Sequence, residues 1–294
     1  GNDYAASLAS PVLNFRTISD RAGIEFDFEG VSATNNVRFQ QVTAQTTSGP
    51  IDISYMLIGA NGLSLESDLG ELTIVDSHAA CNPDLLGEDS GNIRLLTSRG
   101  SISIDRTTFT NCDVRVTGSA ALVSVTNSVI RADSGGSLLQ LRGEKGLVEA
   151  TNVESDEFDL SSLAGSIRVS DANATLFKAA TESGSIEALR LIMPVRSVVQ
   201  TETTSGSITI NLSRFAGIVN IVTGGTITCT GAGFTSANPC VAEEINQRYH
   251  VQQENINCGS HASRVLPDDC LYSGAVTITS SSGIVRLHAD RWDR

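Results

Sequence analysis

The most regular feature of the sequence is a short phrase in which glycine precedes two aliphatic residues set two positions apart. Ala121 takes the place of the glycine ahead of Val123 and Val125. Aliphatic side chains two residues apart point to the same side of an extended strand, so each copy predicts a short strand after a tight corner. The clearest copies begin at Gly49, Gly70, Gly91, Gly100, Gly165 and Gly206, and weaker ones begin at Gly146, Gly184, Gly225, Gly274 and Gly283.

Most copies of this phrase lie 19 to 25 residues apart. About 20 residues hold two or three short strands, and one such coil cannot bury its own aliphatic face, so successive coils must stack. The predicted fold is all-β: a single-stranded β-solenoid (parallel β-helix) of about ten coils, forming a rod about 50 Å long. A large antiparallel sandwich is the competing interpretation, but sandwich strands do not keep a period of this length.

The repeat divides the chain into four predicted parts. Residues 1–22 precede the first strand and form an N-terminal cap or a strand donated to a neighbouring molecule. Residues 23–228 form the solenoid, and residues 229–272 interrupt it. Residues 273–294 form the last coil, because their glycines and aliphatics match the 90–104 segment in register.

The interruption at 229–272 holds four cysteines and a helix-like pattern. Asn238 and Pro239 resemble a helix N-cap followed by proline at the first helical position. Val241, Ile245 and Tyr249 then fall on one face of a helix. The sequence therefore predicts a disulfide-stapled insertion with a short helix at about 240–253, serving as a lid over the rod or as a partner-binding feature.

The repeated Ser-Gly-Ser-Ile phrases resemble bacterial adhesin and autotransporter-adhesin-head-like β-repeat domains. The resemblance covers roughly residues 45–229 and 273–287. It implies a right-handed β-helix-like fold and a cell-surface or exported setting, and it transfers no catalytic residues. The cysteines depart from the usual bacterial pattern.

Six cysteines without metal-binding spacing predict three disulfides, out of fifteen possible connectivities. Local pairing joins Cys81 to Cys112, Cys229 to Cys240 and Cys258 to Cys270. The four cysteines of the last two pairs could equally be paired with one another in a different combination. Disulfides indicate an oxidising compartment. Asn173 and Asn211 head glycosylation sequons, which agree with export. Six reduced, buried thiols in a cytosolic protein are the alternative.

The net charge of the chain limits the classes of binding partner that we expect. The net charge of −13 opposes binding to nucleic acid and docking on anionic membranes. No run of 18 apolar residues is present, so we expect no membrane insertion in this chain. The chain begins with glycine rather than methionine, and we expect a secreted protein whose signal peptide has been removed.

Candidate chemistry is sparse. Clustered carboxylates could bind calcium, although a solvated edge is the simpler reading of both clusters. We expect no catalytic residue, cofactor or resident metal. The acidic clusters are Glu154, Asp156, Glu157 and Asp159, and Asp84, Glu88 and Asp89, while the four scattered histidines are His78, His250, His261 and His288.

The sequence therefore predicts a non-enzymatic, extracellular structural or adhesive β-solenoid glycoprotein, and a subunit of a surface filament or appendage is one form that this role could take. Its expected partners are other copies of itself, extracellular proteins or glycans. The alternative function is a carbohydrate-active enzyme, a polysaccharide lyase or hydrolase built on a β-helix.

Overall fold

The structure is a computed structural model. Its described residues all belong to strands or to the connections between them, without a helix. They are residues 13–27, 39–55, 57–60, 62–81, 92–119, 122–133, 136–193, 197–214, 217–223, 227–230, 247–251 and 274–289.

Two long ladders of parallel strands run the length of the molecule. Each coil contributes one strand to each ladder. In spatial order the first ladder contains β1 (Leu13–Ser19), β3 (Phe39–Thr46), β6 (Leu63–Ser67), β9 (Asn92–Thr97), β12 (Asp113–Gly118), β14 (Leu138–Gly143), β16 (Glu157–Ser162), β18 (Leu176–Thr181), β20 (Val198–Thr203), β25 (Gly274–Ser280) and β22 (Gly217–Thr223).

The second ladder contains the strands predicted from most copies of the glycine phrase, whereas the strands predicted after Gly91 and Gly274 lie in the first ladder. The strands of the second ladder in spatial order are β2 (Ile24–Asp27), β4 (Ile51–Ser54), β7 (Leu72–Val75), β10 (Ile102–Asp105), β13 (Val123–Arg131), β15 (Val148–Glu154), β17 (Ile167–Ser170), β19 (Ile186–Ile192), β21 (Ile208–Arg214), β26 (Val285–Ala289) and β23 (Ile227–Thr230).

A shorter third ladder closes the coils. It contains β5 (Leu57–Ala60), β8 (His78–Cys81), β11 (Thr108–Thr110) and the last residues of β13. Single bridges at Asn173 continue it beyond β15. The predicted all-β solenoid is confirmed, and the described residues form eleven stacked coils.

The core is a set of aliphatic rows running along the rod. Leu72, Ile102 and Val123 occupy equivalent positions in three consecutive coils and are fully buried. Phe158 and Phe177 stack in the first ladder with ring centroids 6.2 Å apart. Burying an aliphatic or phenylalanine side chain contributes about 1.5–3 kcal/mol, so these rows supply the main stabilisation.

A buried hydroxyl shapes the corner between the first and second ladders in most coils. Thr203 lies three residues before Gly206, and its Oγ1 accepts a hydrogen bond from the Gly206 amide at 3.0 Å. The same Oγ1 donates to the carbonyl oxygen of Gly184 in the preceding coil, at 3.3 Å. The hydroxyl therefore shapes its own turn and joins it to its neighbour. In β12 and β14 glycine takes the place of the hydroxyl.

At this corner the space beside the glycine is too small for a side chain. A Cβ atom on Gly206 would lie 1.7 Å from the carbonyl oxygen of Gly184, and one on Gly184 would lie 2.0 Å from that of Gly165. These separations are far inside van der Waals contact, so each glycine lets two coils approach to strand-pairing distance.

The order of the last coils differs from their order in the sequence. β25 and β26 pair with β20 and β21 on one side and with β22 and β23 on the other. The 274–289 coil, expected to be the last, therefore lies between coils 198–214 and 217–230. The glycine contact agrees, because a Cβ on Gly283 would lie 1.7 Å from the Gly206 carbonyl oxygen.

The helix predicted at about 240–253 is wrong where it can be seen. Residues 247–251 form strand β24 (Gln247–Val251), which pairs antiparallel with β22. An available strand edge satisfies the backbone groups of this segment, and that tertiary pairing overrides the helical spacing of its side chains. The rest of the predicted helix lies outside the described residues.

One core position carries a polar atom without a partner. Thr201 is 3% exposed, and its hydroxyl has no hydrogen-bond partner. Its neighbours in the row are Ala179 and Ile278. An unpaired buried hydroxyl costs about 1–3 kcal/mol, so this position lowers the stability of the rod locally.

We expect Gly206→Ala to destabilise the protein by about 3 kcal/mol, because the new methyl group cannot fit against the Gly184 carbonyl. Chemical denaturation followed by circular dichroism measures the change. Ser205→Ala, at the exposed neighbouring position, is the matched control and should have little effect. Equal stability of the two variants would contradict the packing argument.

We expect Thr201→Val to raise the free energy of unfolding by about 1 kcal/mol, because valine has the shape of threonine without its unpaired hydroxyl. Thr201→Ser keeps the hydroxyl and removes a methyl group, so it should not stabilise. The same denaturation experiment compares them, and a destabilised valine variant would show that the hydroxyl is satisfied in solution.

Candidate functional site

A row of surface residues lies at the corner between the second ladder and the third side of the rod. These residues, called the corner row here, have left-handed backbone angles with φ between 47° and 54°. Asparagine and aspartate tolerate this conformation better than other non-glycine residues. The corner row consists of Tyr55, Asp76, Arg106, Asn127, Asn152, Asp171 and Arg190, each six residues after the corner glycine or Ala121.

The corner row is linked from coil to coil by its side chains. Arg106 donates to both carboxylate oxygens of Asp76, from Nε to Oδ1 at 2.7 Å and from Nη2 to Oδ2 at 2.9 Å. Arg106 also pairs with Asp105. Asn152 Nδ2 donates to the Oδ1 atom of Asn127 at 2.9 Å. The row therefore joins neighbouring coils at the surface.

Two aspartates of this row have altered acidity. The hydrogen bond from Arg106 lowers the pKa of Asp76, and the positive charge of Arg106 adds to the effect. Arg190 pairs with Asp171 in the same way and lowers its pKa, again mainly through the hydrogen bond. Both carboxylates therefore stay ionised to a lower pH than an ordinary aspartate does, which is typical of structural ion pairs rather than of a general acid.

A shallow cleft of about 330 Å³ opens beside the third side of the rod. Its polar lining includes Arg131, Asp133, Glu154, Asp156 and Asn173. The cleft lies where the third ladder gives way to single bridges at Asn173.

The carboxylates of the cleft are already engaged with neighbouring coils. Asp156 Oδ2 accepts hydrogen bonds from the amide and the hydroxyl of Ser137, at 2.9 and 3.0 Å. Asp133 Oδ2 accepts one from Asn111 Nδ2 at 2.8 Å. Arg131 Nη2 lies 3.6 Å from Glu154 Oε2. These contacts connect coils.

The structure separates the acidic cluster predicted at 154–159. Glu154 and Asp156 line the cleft, whereas the other two lie on β16 with partners in adjacent strands. Glu157 accepts a 2.8 Å hydrogen bond from Lys178, which raises the lysine pKa, and Asp159 accepts a 2.6 Å bond from Gln140. The described residues contain no group of three or more potential ligands placed to hold a metal ion.

The second acidic cluster and one histidine fall elsewhere. Asp84, Glu88, Asp89 and His261 lie outside the described residues. His78 is exposed on β8, His250 lies on β24, and His288 is half-buried on β26. Because β8 and β26 belong to coils far apart along the rod, His78 and His288 do not share a site.

The two sequons lie in regular structure. Asn173 forms the single bridges of the third side, and its neighbours Ala172 and Ala174 are buried. Asn211 lies within β21, opposite His288, and its Oδ1 atom is buried without a hydrogen-bond partner. Glycosylation at either position stays a prediction.

One predicted disulfide is present. Cys81 at the end of β8 joins Cys112, just before β12, with an S–S distance of 2.09 Å and a Cα–Cα distance of 5.1 Å. The bond ties the third side of one coil to the start of a strand in another. Cys229 lies on β23, and Cys240, Cys258 and Cys270 lie outside the described residues.

The sequence pattern did not reveal three features that the structure shows. It found the corner glycine but not the hydroxyl three residues earlier or the left-handed residue six residues later. A signal for both was present, since the offsets repeat from coil to coil. The cleft and its contacts had no such signal, because its lining comes from three different coils.

The family comparison agrees with this architecture. The family model of Toastrack DUF4097 matches residues 23–223. That range is more than half of the chain, so the protein belongs to the Toastrack family. The match supports the repeat fold and does not identify the protein as an adhesin or an autotransporter.

No curated protein and no solved structure matches the chain significantly.

In the described parts of the chain, no helix is long and apolar enough to cross a bilayer.

We expect Arg106→Gln to return the pKa of Asp76 towards its ordinary value, because the hydrogen bond and the positive charge are both weakened. The carboxyl carbon shift, followed by NMR against pH, measures this. A group with a lowered folded-state pKa stabilises the fold above its ordinary pKa, and that contribution disappears as the pH falls through the lowered value. The stability difference between wild type and variant should therefore vanish in strong acid.

Salt should weaken the same difference, since the pair is exposed. Arg99→Gln removes another exposed arginine from the same coil and is the matched control. Identical Asp76 titrations in wild type and Arg106→Gln would contradict the assigned cause.

Proposed function

We propose that this protein is an extracellular structural and adhesive β-solenoid, a rigid rod that serves as a subunit of a surface filament or appendage. The observation that carries the proposal is the uninterrupted stacking of eleven parallel coils, joined by backbone pairing on both faces. Ten steps of about 4.8 Å give a rod about 50 Å long. Such a rod holds its ends apart at a fixed distance.

The surface chemistry supports a structural role. Charged side chains on the outward face pair with the next coil, as Arg168 does with Glu187 at 3.1 Å. Arg190 pairs with Asp171, and Lys178 with Glu157, in the same way. Exposed pairs contribute little stability individually, but they occupy groups that a catalytic site would need free. A carbohydrate-active enzyme is therefore the weaker proposal.

Export is supported by the disulfide. The Cys81–Cys112 bond persists in an oxidising compartment and is uncommon in the cytosol. It closes a loop of about 30 residues, for which chain-entropy arguments give about 3–4 kcal/mol of stabilisation. A protein exposed to proteases outside the cell benefits from both the bond and the buried rows.

The two ends of the rod support assembly. Within the described residues, β1 and β2 each pair along one edge only, with β3 and β4. An open strand edge is a template for a strand from another molecule. At the other end, antiparallel β24 covers β22 and limits further growth of the first ladder there.

We expect Cys81 and Cys112 to be oxidised and inaccessible to alkylation when intact producing cells are treated before lysis, with surface antibodies labelling the same cells. Negative-stain electron microscopy of unconcentrated native protein should show rods about 50 Å long, joined end to end. Alkylated, free Cys81 and Cys112 in cells that antibodies do not label would contradict export.

Assembly and catalysis are judged separately. Isolated rods at every concentration would contradict the filament role and leave a surface module. Release of products from acidic or neutral glycans by the purified protein would replace the structural proposal with the enzymatic one.

A further inference from the structure

The out-of-order coil occupies a slot whose walls come from one stretch of chain. Coils 198–214 and 217–230 are adjacent in the sequence, with residues 215–216 between them, yet the 274–289 coil separates them in space. This coil, called the inserted coil here, pairs along both edges of both of its strands. The slot it fills would otherwise leave four strand edges open inside the rod.

The strand pairings of the inserted coil are all with residues far away in the sequence. Its residues pair with residues 57 to 77 positions earlier, such as Ala275 with Val198 and with Ile218. Because these pairings do not depend on the connection between the partners, a second copy of the chain presents an identical slot and identical edges.

The inserted coil has the same corner hydroxyl and corner glycine as most of the other coils. Ser280 donates to the Gly206 carbonyl oxygen at 3.4 Å and accepts from the Gly283 amide at 3.0 Å. Val276 and Ile278 in β25, like Leu287 in β26, are at most 1% exposed. The groups of the inserted coil that contact the slot are thus contained in one short segment of the chain.

The chain between the slot and the inserted coil is long enough to reach another molecule. The 22 residues 252–273 separate β24 from β25, and a segment of this length spans at most about 75 Å. That exceeds the length of the rod, about 50 Å by coil stacking. The same coil can therefore reach its own slot or that of a neighbour.

We propose that the inserted coil, residues 274–289, is an exchangeable element that fills the 198–230 slot of a second copy of this chain and so joins subunits. The inference deepens the proposed function, since it names the partner and the site of self-association. Exchange preserves every backbone pair of the closed monomer, so the free energy of the swapped form differs from that of the monomer mainly by the entropy of association. In the swapped form the connecting chain links two subunits.

The test uses two full-length variants produced together in one cell with different tags. Gln200→Cys places a thiol on β20 and Thr277→Cys places one on β25, at paired positions of the outward face. A disulfide between the two chains forms only when the inserted coil of one occupies the slot of the other. We expect a doubly tagged, cross-linked dimer, with the 200–277 linkage identified by mass spectrometry.

The matched control replaces Gln200→Cys with Ser64→Cys. Ser64 lies in the same outward row, on β6, seven coils from the inserted coil and about 34 Å from Thr277. This pair should give only the background caused by the native cysteines. The expected dimer yield for the Gln200→Cys and Thr277→Cys pair is several-fold above that background.

A single chain carrying both Gln200→Cys and Thr277→Cys separates the remaining outcomes. If it cross-links within the monomer while the coproduced single variants stay at background, exchange is refuted and the coil is inserted only into its own chain. If it does not cross-link at all, β25 does not lie beside β20 and the proposal is equally refuted. Rods joined end to end without the 200–277 linkage would leave the filament role standing and refute this junction.

Discussion

The structure depends on the close approach of one coil to the next at the corner glycines. The carbonyl oxygen of one corner glycine lies 1.7 to 2.0 Å from the place where the glycine of the next coil would carry a Cβ atom. This holds for Gly70, Gly100, Gly165, Gly184, Gly206 and Gly283. This close contact lets the strands on both sides of the corner pair at their normal spacing. The hydroxyl three residues earlier then satisfies the corner amide and the neighbouring carbonyl, so a tight turn is buried without unpaired backbone groups.

Everything else in the rod follows from that spacing. Aliphatic rows fill the interior because strand pairing places equivalent residues directly above one another, and the corner row on the surface stacks for the same reason. Stacking brings charges of neighbouring coils within reach, which explains why Asp76 meets Arg106 and Asp171 meets Arg190. Many charged side chains on the described surface therefore form ion pairs between neighbouring coils.

The repeat is interrupted at two places in the described part of the rod. The cleft lies beside the single bridges at Asn173, and the end of the rod contains β24 and the 274–289 coil, which is out of sequence order. Membership of the Toastrack family accounts for residues 23–223. The described 227–230, 247–251 and 274–289 segments lie beyond that match, and the proposed self-association depends on them.

The sequence by itself determined the all-β solenoid, the strands after each glycine and the Cys81–Cys112 partnership, because these depend on local spacing and on packing between equivalent positions. Tertiary structure decided the rest. Two coils with the same phrase, at Gly225 and Gly283, fit the same edge equally well by pattern, so the sequence could not order them. Residues 247–251 carry a helical pattern, but an open strand edge offered every backbone group a partner, and strand pairing prevailed.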